Sequence, residues 1–204
     1  MAWRTRLKCR VQDWAMRQMD ELRPEVLAPA RGEVLELGFG TGLNLAHYPK
    51  AVTSLVGVDP LRSEGFAPVA ERVARAAFPV DRQAPSEDGT LPFDAGRFDT
   101  VVTTWTVCSI PDAALALAEM RRVLRPGGRY LFVEHGLASE PRVARWQERL
   151  DPYWSRFADG CHMNRPVDRL VEQAGFGLAS LERFRHKGPG VLAHMFRGVA
   201  TREA

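Results

Sequence analysis

The sequence lacks the cysteine patterns from which disulfide frameworks and structural metal sites are built. It has three cysteines, Cys9, Cys108 and Cys161, which are far apart and form no CxxC pair and no His/Cys cluster at metal-ligand spacing. It also lacks any run of about 18 apolar residues and the apolar core of a signal peptide. We therefore expect a reduced, cytoplasmic protein that neither spans a membrane nor is exported, and that holds no metal.

A strong charge imbalance is absent as well. The 204 residues carry a formal net charge of +3, and 45% hydrophobic with 26% charged residues is ordinary for one globular domain, here 1–204. There is no dense patch of lysine and arginine with interleaved aromatic residues, so nucleic acid is not an expected partner. The sequence leaves the oligomeric state open.

Glycine is concentrated in one turn, within the stretch VLELGFGTGLNLAHY from Val34 to Tyr48. A predicted strand containing Glu36 leads into Gly38, Gly40 and Gly42, and a run that can open a helix follows. Glycine at alternate positions permits positive φ and lets the backbone approach a bound ligand closely. We expect a tight strand-to-helix turn with a nucleoside-sized ligand over it.

A second predicted strand begins at Ser54 and ends in a carboxylate at Asp59. An acidic residue at the end of such a strand usually binds ribose hydroxyls at the crevice edge. The glycines are spaced GxGxG, and Leu43 stands where dinucleotide-binding enzymes have the last glycine of GxGxxG. The pattern therefore predicts a nucleoside site and argues against a nicotinamide dinucleotide.

Several segments together resemble the class I S-adenosylmethionine (SAM) methyltransferases, of the broad type that includes ubiquinone and menaquinone biosynthesis enzymes. These segments are ELGFGTG, GVDP, LPF with FDTVV, RRVLRPGG and YLFVEHG. A narrower resemblance, carried by TVCSIPD, VEHG, ARWQERLDPYW and DGCHMNR, is to the methyltransferase-like alkyl-thiol S-methyltransferases and their bacterial relatives. The chain departs from the animal members in showing no hydrophobic amino-terminal anchor and in having Trp105 where an aliphatic residue is common.

The resemblance implies a Rossmann-like α/β fold with a seven-stranded, mostly parallel sheet, an antiparallel last strand and helices on both faces. It implies SAM as the methyl donor and S-adenosylhomocysteine as the product. Glu36 would lie near the methionine part of SAM, and Glu87 or Asp88 would accept the adenine amino group. The cofactor-binding residues expected on this basis are Glu36, Gly38, Gly40, Gly42, Asp59, Pro60, Glu87, Asp88 and Thr104.

The leading segment, residues 1–23, has the periodicity of an amphipathic helix. Trp3, Leu7, Val11 and Trp14 recur at helical spacing, and basic residues lie around them. Such a stripe usually packs against its own domain, where it can also act as a lid. A contact with an anionic membrane surface is the alternative that the composition leaves open.

Strand and helix patterns alternate along the rest of the chain. Helices are predicted over 66–78, 112–124 and 167–174, and a short helix begins at 44–48. Further strands are predicted over 80–84, 100–104, 130–134, 178–184 and 191–200. The segment 136–175 is expected to be an insert on the substrate side.

Methyl transfer from a sulfonium is a one-step in-line displacement, so alignment is its main requirement. A thiol acceptor needs only a modest base, whereas an alcohol needs a stronger one. The candidate bases are His135, Asp151 and His162, together with Glu134 and Asp159. Candidate residues around the acceptor are Trp105, Cys108, Trp154, Asp159 and Cys161, although free cysteines are most often small buried hydrophobes.

The sequence thus favours SAM-dependent methyl transfer to a small, apolar acceptor, with a thiol as the leading candidate. N- or O-methylation of a lipid or quinone is the alternative, with residues 1–23 as the membrane contact. A SAM-binding module without catalysis is a second alternative, although the glycines and Asp59 argue against it.

Overall fold

Seven strands form a single sheet in the computed structural model, which describes residues 3–61, 63 and 65–203. The strands are β1 (Gly32–Leu37), β2 (Val52–Val58), β3 (Val80–Gln83), β4 (Phe98–Thr104), β5 (Leu124–His135), β6 (Gly177–Arg185) and β7 (His194–Thr201). Their order across the sheet is β3-β2-β1-β4-β5-β7-β6.

The helices are α1 (Trp3–Arg17), α2 (Arg23–Leu27), α3 (Ala67–Arg75), α4 (Ala113–Val123), α5 (Pro141–Phe157) and α6 (Val167–Gln173). Two short 3-10 helices occupy Asp20–Leu22 and Leu43–Ala46. None of the helices in the described ranges is both long enough and apolar enough to cross a membrane.

Six strands, β1 to β6, point in one direction, and the last strand, β7, runs opposite to them. In the centre, Leu37 at the end of β1 is level with Val58 of β2 and with Thr103 of β4. β7 lies antiparallel between β5 and β6, with His135 opposite Met195. The predicted seven-stranded sheet with an antiparallel last strand is confirmed. Because parallel strands end at one edge, β1, β2, β4 and β5 deliver their last residues to the same rim.

A separate apolar core lies on each face of the sheet. On one face, Leu117 and Met120 of α4 and Val171 of α6 pack against β4 and β5. On the other, Leu27 of α2 and Val69 of α3 pack against β1 and β2. Both faces of the parallel strands are therefore covered, which explains their nearly continuous apolar sequences.

Two predicted elements differ from those observed, and one observed helix is not among the predictions. The helix predicted at 44–48 is only a 3-10 turn, Leu43–Ala46. The strand predicted over 130–134 is longer, since β5 begins at Leu124 and includes Pro126, Gly127 and Gly128. The helix without a prediction is α2, and Pro24 is compatible with it because it stands in the first turn, where no N–H is needed.

The predicted packing of the apolar stripe on α1 is wrong. The exposed fraction of the accessible surface is 70% for Trp3, 53% for Leu7, 57% for Val11 and 69% for Trp14. The opposite face of the helix, with Cys9 and Asp13, is the buried one. The helix is therefore held to the domain through its more polar face.

Candidate active site

The glycine turn after β1 has the backbone conformation that its sequence predicts. Gly38, Gly40 and Gly42 have φ of +78°, +56° and +76°. A β-carbon at Gly38 would lie 2.0 Å from the Thr106 hydroxyl, so that position has no room for a side chain. At Gly40 it would meet only the Gln12 side-chain nitrogen, at 3.5 Å, and a carbonyl oxygen at 3.9 Å. The backbone at Gly40 is thus not tightly packed, and the nearest side chain to it is Gln12 of α1.

Asp59, directly after β2, holds this turn in place. Its two carboxylate oxygens accept hydrogen bonds from the N–H groups of Gly40 (2.7 Å) and Leu61 (2.6 Å). Burial raises the pKa of Asp59, and these two bonds oppose the rise. A carboxylate has about four lone-pair positions, so each oxygen can still accept another donor such as a ribose hydroxyl. Pro60, which follows, is exposed.

Glu36, near the end of β1, is fully enclosed. Its carboxylate accepts hydrogen bonds from the Tyr48 hydroxyl (2.8 Å) and the Asn44 amide (2.9 Å). The amide of Asn44 also lies 3.1 Å from the Thr104 hydroxyl, which links β1 to the end of β4. Burial raises the pKa of Glu36 to about 7, although Tyr48, Asn44 and the nearby Arg23 charge oppose the rise.

Arg23 was not identified from the sequence. It is buried at the start of α2, donates a 2.5 Å hydrogen bond to the Asn44 side chain, and stacks its guanidinium 5.1 Å from the centre of the Trp105 ring. Burial lowers its pKa, and Glu36 and Asp20 oppose the change. An arginine beside a proline gives no sequence signal of burial, since most arginines are exposed.

α1 lies across the glycine turn and is fixed there by Asp13. The Asp13 carboxylate accepts hydrogen bonds from the Thr41 hydroxyl (2.7 Å), Arg72 of α3 (2.6 Å) and Arg17 (2.9 Å). Burial would raise the pKa of Asp13, but these three donors outweigh it and lower the pKa. This interaction was also not identified from the sequence.

Several buried polar side-chain atoms near the turn have no hydrogen-bond partner among the described residues. They include the Gln12 side-chain oxygen, one nitrogen of Arg72 and the Trp105 indole nitrogen. Trp105 also has φ of +53°, a strained conformation for an aromatic residue. Buried polar groups are normally paired, so a ligand or an ordered water at these atoms would complete their hydrogen bonding.

The residues expected near adenine lie apart from this network. Glu87 and Asp88 are both exposed. The Asp88 carboxylate accepts hydrogen bonds from the backbone N–H and the hydroxyl of Thr90, which together lower its pKa. Asp88 is therefore occupied within its own turn, and the predicted adenine contact remains a prediction.

An apolar cluster begins where β4 ends, one residue beyond Thr104. It contains Trp105, Cys108, Val133, Cys161, Met195 and Val26, with Met16, Met19 and Leu22 of the leading segment packed on it. Of the residues predicted around the acceptor, Trp105, Cys108 and Cys161 come together here. Trp154 lies beside Cys161 and helps to lower its pKa. The fifth, Asp159, is exposed and pairs with Lys8 of α1 at 2.9 Å.

Two cysteines and a histidine converge at one end of this cluster. The Cys108 and Cys161 sulfurs are 3.5 Å apart, and the Cys161 sulfur is 3.6 Å from the Nδ1 atom of His135. The contact with Cys108, and then His135, lowers the pKa of Cys161, while the pKa of Cys108 is raised. Their spacing in sequence gave no sign of this cluster.

The remaining candidate bases form two different arrangements. His162 and Asp151 are a pair, with the His162 Nδ1 atom 2.6 Å from one carboxylate oxygen of Asp151. The other oxygen of Asp151 accepts a hydrogen bond from the Met163 N–H at 2.9 Å. Glu134 is fully buried, and its oxygens accept the N–H groups of Val107 and Cys108 at 3.1 Å. Glu134 therefore positions the loop after β4 and is not available as a base.

Comparison with known proteins gives consistent results. A family model described as a methyltransferase domain matches residues 35–132. Human thiol S-methyltransferase TMT1B is 33% identical over 188 residues, which cover 82% of this chain and 72% of that protein. The rat protein of the same name is 33% identical over 159 residues, or 73% of this chain and 62% of that one. The chain thus spans about two thirds of the length of these relatives.

Another relative has a name that states a different acceptor. The phosphatidylethanolamine N-methyltransferase of Cereibacter sphaeroides is 32% identical over 143 residues, covering 69% of this chain and 68% of that protein. Among solved structures, a SAM-dependent methyltransferase from Methanosarcina mazei superposes with a TM-score of 0.63 at 20% identity, covering 84% of this chain and 92% of that one. The structural match supports the fold alone.

Replacing Asp59 by alanine is expected to weaken S-adenosylhomocysteine binding. The change removes the carboxylate that accepts the Gly40 N–H and so holds the turn. It also removes the oxygen lone pairs that would accept the ribose hydroxyls. We expect a loss of about 1.5–3 kcal/mol, or roughly ten- to 150-fold in affinity, by isothermal calorimetry. The exposed Asp81 of β3, replaced in the same way, is the matched control. Unchanged affinity in a folded Asp59→Ala protein would contradict the role.

Cofactor affinity is expected to increase with pH through the pKa of Glu36, about 7. Below that pKa the carboxyl group is protonated and does not attract the ligand's ammonium group, so binding must first remove a proton. Affinity should therefore fall by up to about tenfold for each pH unit below 7 and level off above it. In Glu36→Gln the dependence should disappear. A wild-type profile that is flat between about pH 5.5 and 7.5 would refute this.

Proposed function

The chain belongs to the SAM-dependent methyltransferases, and from that membership we propose that it transfers the methyl group to a small, apolar thiol. The observation that carries the proposal is the apolar, sulfur-rich cluster at the end of β4, next to the glycine turn. The relatives named as thiol S-methyltransferases support the same acceptor class.

The residues of the turn fit the cofactor. Asp59 would hold the ribose hydroxyls with its remaining lone pairs, and Glu36 would attract the ammonium group of the methionine part. A β-carbon at Gly40 would meet no atom closer than 3.5 Å, so the turn backbone there leaves room for the nucleoside to approach. Bound SAM supplies a methyl group on a sulfonium, which a thiolate takes in one in-line displacement that leaves S-adenosylhomocysteine.

An apolar acceptor suits the cluster because its lining carries little charge. Five sulfur-containing residues contribute to it: Cys108, Cys161, Met16, Met19 and Met195. Methionine side chains are flexible and polarisable, so they adapt to varied alkyl groups. The unpaired indole nitrogen of Trp105 gives this otherwise apolar surface one hydrogen-bond donor with which to orient the acceptor.

The proton of a thiol requires only a modest acceptor. Asp151 accepts a hydrogen bond from Nδ1 of His162 and so fixes the tautomer in which Nε2 carries the lone pair. The pair has the arrangement of an oriented general base, and the His162 side chain is 37% exposed, which allows the proton to pass to solvent. We assign His162 as the proton acceptor and Asp151 as its positioning residue.

Incubation of the purified protein with SAM and a small alkyl thiol is expected to release S-adenosylhomocysteine in proportion to thiol concentration, with the thioether identified by mass spectrometry. His162→Gln should lower kcat while SAM affinity is retained, because the acceptor thiol loses its proton acceptor but the cofactor site is unchanged. A protein that binds SAM tightly but releases no product with any thiol would refute the thiol acceptor. Absence of SAM binding would refute the cofactor site.

A lipid acceptor at a membrane surface is the second candidate, and the exposed face of α1 favours it. Four exposed apolar side chains on that helix are accompanied by the exposed basic residues Arg4, Arg6, Lys8 and Arg10. Such a composition suits an interfacial helix on an anionic bilayer. α5 carries a similar exposed stripe: Trp146, Leu150, Tyr153 and Phe157.

Sedimentation with vesicles tests the membrane contact. We expect binding to vesicles that contain anionic lipid and at least about tenfold weaker binding after Leu7→Gln with Trp14→Gln, because these side chains would insert into the interface. Leu115→Gln on α4 removes another exposed apolar side chain and serves as the control. Equal sedimentation of both variants and the parent protein would contradict a contact through α1.

A further inference from the structure

The Cys108, His135 and Cys161 side chains offer three metal-binding atoms at one point. Cys108 lies in the loop after β4, His135 ends β5, and Cys161 follows α5. One sulfur or nitrogen from each lies within 4.8 Å of the other two. The three residues come from separate parts of the fold, so the cluster is a product of the tertiary structure.

Two of the three separations are close to those of a tetrahedral zinc site, and the third lies within 4.8 Å. With Zn–S of about 2.3 Å and Zn–N of about 2.0–2.1 Å, tetrahedral geometry requires S–S separations of about 3.8 Å and S–N separations of about 3.5 Å. The observed values are 3.5 Å between the sulfurs and 3.6 Å from the Cys161 sulfur to His135. Shifts of a few tenths of an ångström would bring both sulfurs to ligand positions.

The loop that carries Cys108 is fixed from both sides. Glu134 accepts the Cys108 N–H at 3.1 Å, and the Cys108 carbonyl accepts the His162 N–H at 2.7 Å. Arg165 donates to the carbonyls of Val107 and Ile110. The segment carrying Cys161 is therefore tied directly to the segment carrying Cys108. Such supporting bonds are what hold the ligands of a metal in position.

The chemistry of the three groups selects a particular class of ion. Two thiolates and an imidazole are soft to borderline ligands, which favour zinc or copper(I) over magnesium and calcium. Two thiolates also balance the charge of a divalent ion in a largely apolar surrounding. Three protein ligands are the number found in catalytic zinc sites, where a fourth position stays open for water or substrate.

We propose that Cys108, His135 and Cys161 bind a zinc ion whose open fourth position receives the acceptor thiol. This role of the ion rests on the proposed thiol methylation, whereas binding of the ion does not. On binding, the thiol forms a sulfur–zinc bond and releases its proton to His162, from which it passes to solvent, as a metal-bound thiol is deprotonated. When the sulfur gains the methyl group it becomes a neutral thioether, a weaker ligand that leaves the ion.

Zinc uptake by the full-length protein tests the site without any activity measurement. Protein treated with a chelator and a reductant is titrated with Zn²⁺ against a chromophoric chelator, and Co²⁺ is used to detect thiolate ligation by its charge-transfer absorption. We expect one equivalent to bind, and at least about a hundredfold loss of affinity in Cys108→Ser and Cys161→Ser. His135→Asn should weaken uptake less, because both thiolates remain.

Cys9→Ser is the matched control, since it removes a buried cysteine from α1 and should leave zinc affinity unchanged. Binding of S-adenosylhomocysteine reports that each variant is folded. The proposal is overturned if the reduced, folded protein takes up no zinc. It is also overturned if zinc binds equally to Cys108→Ser and Cys161→Ser. Zinc uptake without thiol methylation would reject the proposed acceptor and leave the metal site standing.

Discussion

The enclosed carboxylate of Glu36 is the constraint on which the arrangement of the candidate site depends. A buried acid is tolerated only when its oxygens are hydrogen-bonded, and here the partners are Tyr48 and Asn44. Both follow the glycine turn, so satisfying Glu36 fixes the path of the chain as it leaves the turn. Asn44 extends the network to Thr104 on β4 and to Arg23 on α2. One buried acid thereby connects the cofactor turn, the central strands and the leading segment.

The leading helix belongs to this arrangement through its polar side. Helical periodicity identified an apolar stripe but could not show what the stripe faces, because the same pattern suits a protein core and a membrane interface. Asp13 instead determines the orientation of α1, as its carboxylate joins Thr41 of the turn to Arg72 of α3. A single aspartate within a helix has no sequence signature for such a role. The exposed stripe then follows from geometry, since Asp13 and the stripe occupy different faces.

The features predicted correctly from the sequence are those that depend on neighbouring residues in the chain. The glycine turn, the acid at the end of β2 and the alternation of strands and helices all depend on residues close together in the chain, and the sheet with its antiparallel last strand is confirmed. Contacts across long separations were not accessible in this way. The sulfurs of Cys108 and Cys161 meet only because β4, β5 and the segment after α5 converge, and Arg23 is buried only because α2 folds against Trp105.

The two sides of the site differ in how firmly they are held. On the acceptor side, Glu134 accepts hydrogen bonds from N–H groups of the loop after β4, and Arg165 donates hydrogen bonds to carbonyls of the same loop. Both the N–H and the C=O groups of this loop are therefore fixed by partly or fully buried partners. On the α1 side, the amino-terminal half of the helix is held by the buried Cys9 and by the exposed Lys8–Asp159 pair, and exposed ion pairs contribute at most about 1 kcal/mol. The carboxyl-terminal half is held by the largely buried Asp13. The backbone of the Cys108 loop is therefore held by more hydrogen bonds than the leading helix, whose attachment depends on Asp13 and on the burial of Cys9.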